Sequence, residues 1–497
     1  MTKGDLSVPE KKGKTAVDIL NAFGDAISKR IEPVTSLLCF ASMVFVVMMV
    51  AVVVLDVFLR NIDAIVPGIN ELQTFLMVIV TFFSLAYVTI RKRHIAIDIL
   101  LNKLNPANRS LITLILNVLT LVIMILMIGA SVRYGMSKAS TFTPLLRLPI
   151  SLAAYAISFC TSINAIVLLA EVFKSLASAF DNFKNRLLIP IAVVVFVPLV
   201  IFASPVWLNW LNITKGQVGV LSLVLMLILV FASLPIAYSV AIAGFIGVST
   251  LGSFEAAFNL LGSFLYTKTA DYQLTVMPFF VLMSSLAAVS GISTDLFKSI
   301  KILLGKLPGS LAMATVIGGA AFGAVCGDSL ATASAIGKVA LPEMKRENYA
   351  DTLAGGSVAV GGTLGSMIPP SMVFIIYALI VEESVGKLLM AGVGPGILIT
   401  VLLCITIYIL VKQNPKLATR GEATTVIEKI KGLRSSWGML VLILLVLGGI
   451  YTGYLTPVEA GAFGALGAFV FSYFRKALNK ENIKDALVDA AEICGVI

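Results

Sequence analysis

The sequence predicts an all-α polytopic membrane protein, and three observations carry that prediction. The chain is 58% hydrophobic and only 13% charged over 497 residues, more apolar surface than a soluble fold of this length has interior to hide. Its apolar residues come in uncharged runs of about 20, the length a helix needs to cross about 30 Å of hydrocarbon. The runs also lack the short period-2 alternation of barrel strands, the other way of satisfying every backbone group in lipid.

The elements follow in order. A polar stretch runs past Lys29 and Arg30 into a span at 34–59. That span is too long for a signal h-region and has no small-residue cleavage site, so it is expected to stay as an anchor. Plain apolar spans follow at 71–90, 111–132 and 149–173, separated by basic loops. The next, 187–211, carries Trp207 and Trp210 near its outer end as interface anchors. Further spans are expected at 217–234, 235–251, 273–292, 349–381, 388–411, 438–454 and 458–478. The chain divides near Asn185. Residues 1–185 read as a four-span bundle and 186–216 as a linking transmembrane helix. Residues 217–497 read as a larger unit rich in Gly, Ala, Ser and broken helices.

Basic residues select the cytoplasmic side. Lys11, Lys12, Lys14, Lys29 and Arg30 precede the first span, and Arg91, Lys92, Arg93, Lys103 and Arg109 fill the second loop. These counts place the N-terminus in the cytoplasm of a bacterial inner-membrane protein. They also account for the net charge of +10, so no nucleic-acid partner is expected. The count closes only if residues 309–344 enter and leave on one side, as a re-entrant hairpin or two closely paired helices. A weak echo between the segments at Pro235 and Pro457, on helices of opposite direction, suggests the inverted repeat of secondary transporters; small-residue bias alone would also produce it.

Two stretches depart from plain spanning helix. In the first, from Gly323 to Met344, Gly327 allows a turn while Asp328, Ser329 and Thr332 put oxygens at the break. A hairpin ending inside the protein leaves helix-end amides and carbonyls unpaired. With the nearby oxygens, these make a site for a hard cation or an anion. Asp328 at membrane depth would cost at least about 2.5–3.5 kcal/mol if isolated, so a partner cation or water is expected. It can equally cap the helix that follows. The second stretch, Gly361 to Ser371, places Gly361, Gly362, Gly365, Pro369 and Pro370 in the middle of a span. The prolines remove two amide donors and the glycines loosen the turn. Unwound chain at that depth must be buried or line a wet cavity. Its carbonyls, with Thr363, Ser366 and Ser371, would be oxygen ligands; the alternative is a kinked packing helix.

Other residues signal less. His94, the single histidine, is expected to be structural, Asp56 and Asp98 solvated, and the five cysteines packing residues. Lys338 and Glu343 are expected to reach the interface by snorkelling. No Walker A, HExxH or G-x-S-x-G pattern is present, so neither an enzyme nor an ATP-driven pump is expected, and no catalytic residue or cofactor.

The chain resembles the tripartite ATP-independent periplasmic (TRAP) transporters, in the form that fuses small and large membrane subunits. The small-subunit likeness lies in Glu71, its span, and R-K-R-H-I-A-I-D from Arg91. The large-subunit likeness lies in M-P-F-F-V-L-M from Met277, L-G-K-L-P-G-S from Leu304, G-D-S-L-A-T from Gly327 and A-L-P-E-M ending at Met344. It continues in G-G-T-L-G-S-M-I-P-P-S from Gly361, A-G-V-G-P-G from Ala391 and G-I-Y-T-G-Y-L-T-P-V-E-A from Gly449. The resemblance implies a sodium-coupled, elevator-type importer that receives an organic acid from a periplasmic substrate-binding protein. It implies that Gly327, Asp328, Ser329, Thr332, Gly362 and Thr363 hold sodium. Gly365, Ser366, Pro369, Pro370 and Ser371 complete the ion and substrate site. The family's large subunit continues through a second hairpin, so a second repeat incomplete at Ile497 is expected, as a truncated copy or with the rest encoded elsewhere. Two alternatives accompany this reading: a non-transporting fragment or scaffold, and a one-component sodium/carboxylate carrier, against which the four-span bundle argues.

Overall fold

A computed structural model describes residues 16–97, 100–183, 188–210, 214–419, 421 and 424–496. The side chains of residues 200–210 and 435 lie outside that description, so the anchoring expected of Trp207 and Trp210 does too. So do Asp98 and the division expected near Asn185. Among the described residues the regular elements are helical, and extended chain pairs only in a bridge between Phe142 and Pro149. The polytopic all-α class read from composition is what the molecule shows.

The first unit is α1 (Ala16–Asn61), α2 (Ile69–Ile90), α3 (Pro106–Ser137) and α4 (Ile150–Asn182). α1 begins well before the apolar run that predicted it and passes through Pro33. Its polar extension is held by α4, which itself outruns its expected end. Lys174 pairs with Asp25 at 3.1 Å and bonds Ser28 at 3.2 Å, and Phe23 meets Phe173 edge-on. Glu71, at the start of α2, accepts from the amides of Leu145 and Leu146 at 2.9 and 2.8 Å and so fixes the α3–α4 loop.

After α5 (Leu188–Trp210), helices α6 (Lys215–Phe231) and α7 (Ile236–Leu251) are only 17 and 16 residues long. The chain turns at Ser233, whose φ is +76°, and Pro235 starts the next helix. Next come α8 (Phe254–Thr269), α9 (Val276–Val289) and α10 (Ile292–Leu304). α10 was not expected as a separate helix: with Asp295, Lys298 and Lys301 on one side it is amphipathic, and span length hides it. The expected hairpin is α11 (Ser310–Cys326) and α12 (Ser329–Arg346). The expected broken span is α13 (Asp351–Leu364) and α14 (Met372–Val381).

α15 (Val385–Gln413) is followed by a short amphipathic α16 (Val426–Ser435) and by α17 (Trp437–Ile443). α17 continues through a π turn at Leu444–Gly448 into α18 (Gly449–Tyr451). The chain then forms α19 (Pro457–Phe474) and α20 (Lys480–Val496). Among the described residues seven helices are long and apolar enough to cross a membrane: α1 to α4, the segment Tyr272–Val289 that contains α9, α15 and α19.

One core runs from the first unit into the second. Val46, Met49, Met77 and Val80 of α1 and α2 join Phe279, Phe280, Phe297 and Phe322 in a single buried cluster. α20 lies beside α2 closely enough that a Cβ on Gly495 would sit 2.7 Å from Ser84 Oγ. Ion pairs tie the rim: Arg60 to Glu459 at 2.7 Å, and Arg93 to the buried Glu492.

Candidate functional site

The two interrupted stretches meet. α11 ends at Gly327, whose φ of +69° suits glycine and reverses the chain into α12. Met372 N, at the start of α14, donates to Gly327 O at 3.1 Å. A Cβ on Gly327 would sit 2.1 Å from Pro370 O. The hairpin tip and the helix break are therefore in backbone contact, with no room for a side chain between them. The Pro369–Pro370 peptide bond at this junction is cis.

Glycine spacing makes the approach possible along the whole length. Gly319 and Gly323 of α11 face Gly361 and Gly365 of α13, and Cβ atoms on the first pair would lie 2.3 Å from Gly361 O and 2.5 Å from Gly365 Cα. On the other arm, a Cβ on Gly362 would lie 2.5 Å from Ala333 Cβ. α13 thus lies in the angle of the hairpin. Two glycines four apart on each helix form the small-residue seam that lets backbones touch in membranes. Gly319 and Gly323 were not singled out from sequence, although their spacing repeats that of Gly361 and Gly365.

Four helix ends converge here. α11 and α13 arrive with their C-termini and α12 and α14 leave with their N-termini. Partial negative charge on the last carbonyls and partial positive charge on the first amides are therefore brought together without an ionised side chain. Asp328 caps α12 through Oδ2, which accepts from Ala331 N at 2.7 Å, and Ser371 caps α14 through Phe374 N at 3.4 Å. The capping role weighed for Asp328 is thus present, and its carboxylate still stands at the tip.

Thr332 is the informative side chain. It is fully buried, its Oγ1 makes no hydrogen bond although the weakly polar Cys326 thiol is near, and a Cβ on Gly365 would be 2.3 Å from that oxygen and 2.7 Å from Asp328 O. A buried hydroxyl left unpaired costs about 1–3 kcal/mol unless a ligand uses it. Ser329 O lies 3.2 Å from the Cβ position of Gly362. Among the expected site residues, Gly327, Asp328, Ser329, Thr332, Gly362, Gly365 and Pro370 are therefore drawn to one junction.

The hydroxyls of the remaining ones bond within the broken segment. Thr363 is exposed and donates to Val360 O at 2.7 Å on its own helix. Ser366 Oγ donates to Thr363 O at 2.9 Å, and Ser371 Oγ donates to Ser366 O. Pro369 is buried in the break. Among the described residues no group of three His, Cys, Asp or Glu gathers, so a cation here would meet carbonyls, hydroxyls and one carboxylate.

Outside the junction, His94 is packed away. Its Nε2 lies 2.8 Å from Thr89 Oγ1 and 3.3 Å from Tyr238 OH, and its ring meets Tyr238 edge-on. Burial pushes its pKa down to about 4, so the ring is neutral. Glu343 pairs with Lys301 at 3.0 Å and Arg346 at 3.0 Å, whereas Lys338 is exposed. The cysteines are free, four of them buried.

Comparison with known proteins adds the following. A family described as "Tripartite ATP-independent periplasmic transporter, DctM component" matches residues 223–497, and one described as "Tripartite ATP-independent periplasmic transporters, DctQ component" matches residues 49–178. The C4-dicarboxylate TRAP transporter large permease protein DctM of Pseudomonas aeruginosa is 34% identical over 46% of this chain and 53% of its own length. The sialic acid TRAP transporter permease protein SiaT of Haemophilus influenzae is 26% identical over 86% of this chain and 70% of its own. The isethionate TRAP transporter permease protein DctMQ of Oleidesulfovibrio alaskensis is 30% identical over 52% and 42% respectively. The chain therefore spans about half the length of the Pseudomonas protein. These relatives are transporter permeases, not enzymes.

Proposed function

Since the chain belongs to the tripartite ATP-independent periplasmic transporter family, we propose that it is the membrane component of a sodium-coupled secondary transporter for a small organic acid. It is a multi-pass inner-membrane protein with both membrane components of the family in one chain. In this reading a periplasmic substrate-binding protein delivers the acid, the N-terminus is cytoplasmic, and 1–185 braces 217–497 through the linking helix while the hairpin and broken helix move in an elevator-type cycle. The relatives carry C4-dicarboxylate, sialic acid and isethionate in their names, all anions, and a carboxylate is the substrate class proposed here.

One observation supports the ion site above the rest: the buried, unpartnered Thr332 hydroxyl at a junction of four helix ends. Sodium would be held by Thr332, by Asp328 and by carbonyls around Gly327, Ser329, Gly362 and Thr363, where it supplies the positive charge that the converging carbonyls favour. The helix N-termini at Asp328 and Ser371 supply amides for an anionic substrate. Asp328 orients the tip through its bond to Ala331 N, and Gly365 lets its backbone pack directly against Thr332.

The test is sodium-driven uptake by the chain in proteoliposomes with a ligand-loaded binding protein, beside melting of the solubilised chain in sodium and in choline. Sodium should raise the melting temperature and be required for uptake. Identical melting in the two cations, with uptake indifferent to sodium, would sink the coupling.

A further inference from the structure

We propose that α16 is a membrane-surface anchor whose occupant is a bilayer rich in anionic lipid headgroups. The helix is short but built to persist. Thr425 Oγ1 accepts from Glu428 N at 3.3 Å and the Glu428 carboxylate accepts in turn from Thr425 N at 2.7 Å, a reciprocal cap. One side is bolted to α10: Ser299 Oγ donates to Gly432 O at 2.6 Å, and Thr424 Oγ1 donates to Ile302 O at 2.9 Å. A Cβ on Gly432 would already press Ile302 at 3.3 Å.

The opposite side is uncovered. Val426, Ile427 and Ile430 are 72%, 67% and 66% exposed, and Leu433 continues the row. Positions 426, 430 and 433 fall on one stripe of α16 at helical spacing. Lys429 and Arg434 flank the stripe, Lys431 stands beyond it, and none of the three is in an ion pair among the described residues. An apolar stripe edged by cations suits the boundary between acyl chains and acidic headgroups better than water or a neutral protein face.

Placement argues for lipid as well. α16 lies in the stretch after the long apolar α15 and meets the following segment Trp437–Tyr451 at 56°. A helix bent away from the crossing it feeds, with a tryptophan at the corner, lies along the surface where that crossing begins. Through α10 the anchor reaches the hairpin: Lys301 of α10 pairs with Glu343 of α12 at 3.0 Å. Gly421 lies so near the loop between α10 and α11 that a Cβ would be 2.1 Å from Gly305 O. Headgroup binding at α16 would thus hold the hairpin's base at the membrane surface.

The experiment places the full chain in nanodiscs of phosphatidylcholine with and without phosphatidylglycerol. A bimane is attached at Ile430→Cys, or at Lys431→Cys, about 100° further round the helix, and acyl chains carry bromine. The label at 430 should be quenched strongly, that at 431 weakly. Separately, Lys429→Gln, Lys431→Gln and Arg434→Gln combined should lower the phosphatidylglycerol retained through purification by about tenfold or more, the scale set by three surface cations. Equal quenching at both positions, no quenching at 430, or unchanged lipid retention would overturn the proposal. Thiol cross-linking between copies of the Ile430→Cys variant would assign the stripe to a second copy instead.

Discussion

The hairpin seam and the brace between the two units are both buried helix interfaces, yet they are made of different material. At the seam, backbone meets backbone: Gly319, Gly323, Gly327, Gly361 and Gly365 exclude side chains, and a main-chain bond from Met372 to Gly327 joins the two breaks. At the brace, side chains do the holding. Arg60 reaches Glu459, Arg93 reaches Glu492, and Phe58 packs on Phe463. Large interlocking side chains resist sliding. Bare backbone leaves helix-end dipoles free for a ligand. The first suits a frame and the second a site.

The largest expected effect breaks the seam. Gly327→Ala adds a methyl 2.1 Å from Pro370 O and imposes a left-handed conformation on alanine. Overpacking costs about 1–3 kcal/mol and the conformation about 1–2 more, so a loss of about 3–4 kcal/mol is expected in denaturation of the solubilised chain. Gly355→Ala, on the same α13 with nothing within 4 Å of its Cβ position, should instead be neutral or stabilising by up to about 1 kcal/mol. If the two variants melted alike, glycine at the seam would have no packing role.

The brace responds to pH through His94, which meets Tyr238 of α7. His94 is held near a pKa of about 4 by burial, against 6.5 when free. The unfolded chain therefore binds a proton that the folded one refuses. Stability is complete above pH 6.5 and falls as pH drops through the window toward 4. Between pH 8 and 5 the loss is about 2 kcal/mol. His94 is the single histidine, so His94→Gln should flatten that limb of a melting-temperature profile. A wild-type profile flat from pH 8 to 5 would mean the ring is hydrated.

These materials also decide what a sequence discloses. The seam was legible because backbone exceptions have their own letters: Gly327 and the run Gly361 to Pro370 announce two breaks, charge bookkeeping makes the first a hairpin, and the pairing of the two comes from the family resemblance. The partner glycines Gly319 and Gly323 were missed because glycine inside an apolar helix looks like ordinary packing. The brace was illegible. Arg60, Arg93 and Glu459 read as loop charges and helix ends, and pairs separated by 399 residues leave no local trace. Helices α10 and α16 escaped because length and apolarity were the signals, and short amphipathic helices carry neither. Thr363 and Ser366 are assigned to the site as oxygen carriers; their hydroxyl protons bond back to their own segment, which leaves lone pairs for a ligand, a local competition that residue type does not reveal.

The smallest expected change in stability is the sharpest test of what the seam is for. Thr332→Val replaces a buried, unpartnered hydroxyl with a methyl of nearly the same shape. Without sodium the variant should be unchanged or more stable by about 1 kcal/mol, because an unsatisfied polar atom has been removed. With sodium, the stabilisation seen in wild type should shrink or vanish. Asp328→Asn separates the other half of the claim, since asparagine caps a helix as well as aspartate does and keeps the tip folded while removing its charge. It should leave stability in choline within about 0.5 kcal/mol of wild type and raise the sodium concentration needed for half-maximal uptake. A seam that only packs would give the opposite pattern: both variants would shift stability equally in the two cations, and the difference between the seam and the brace would be one of building material, with no bearing on transport.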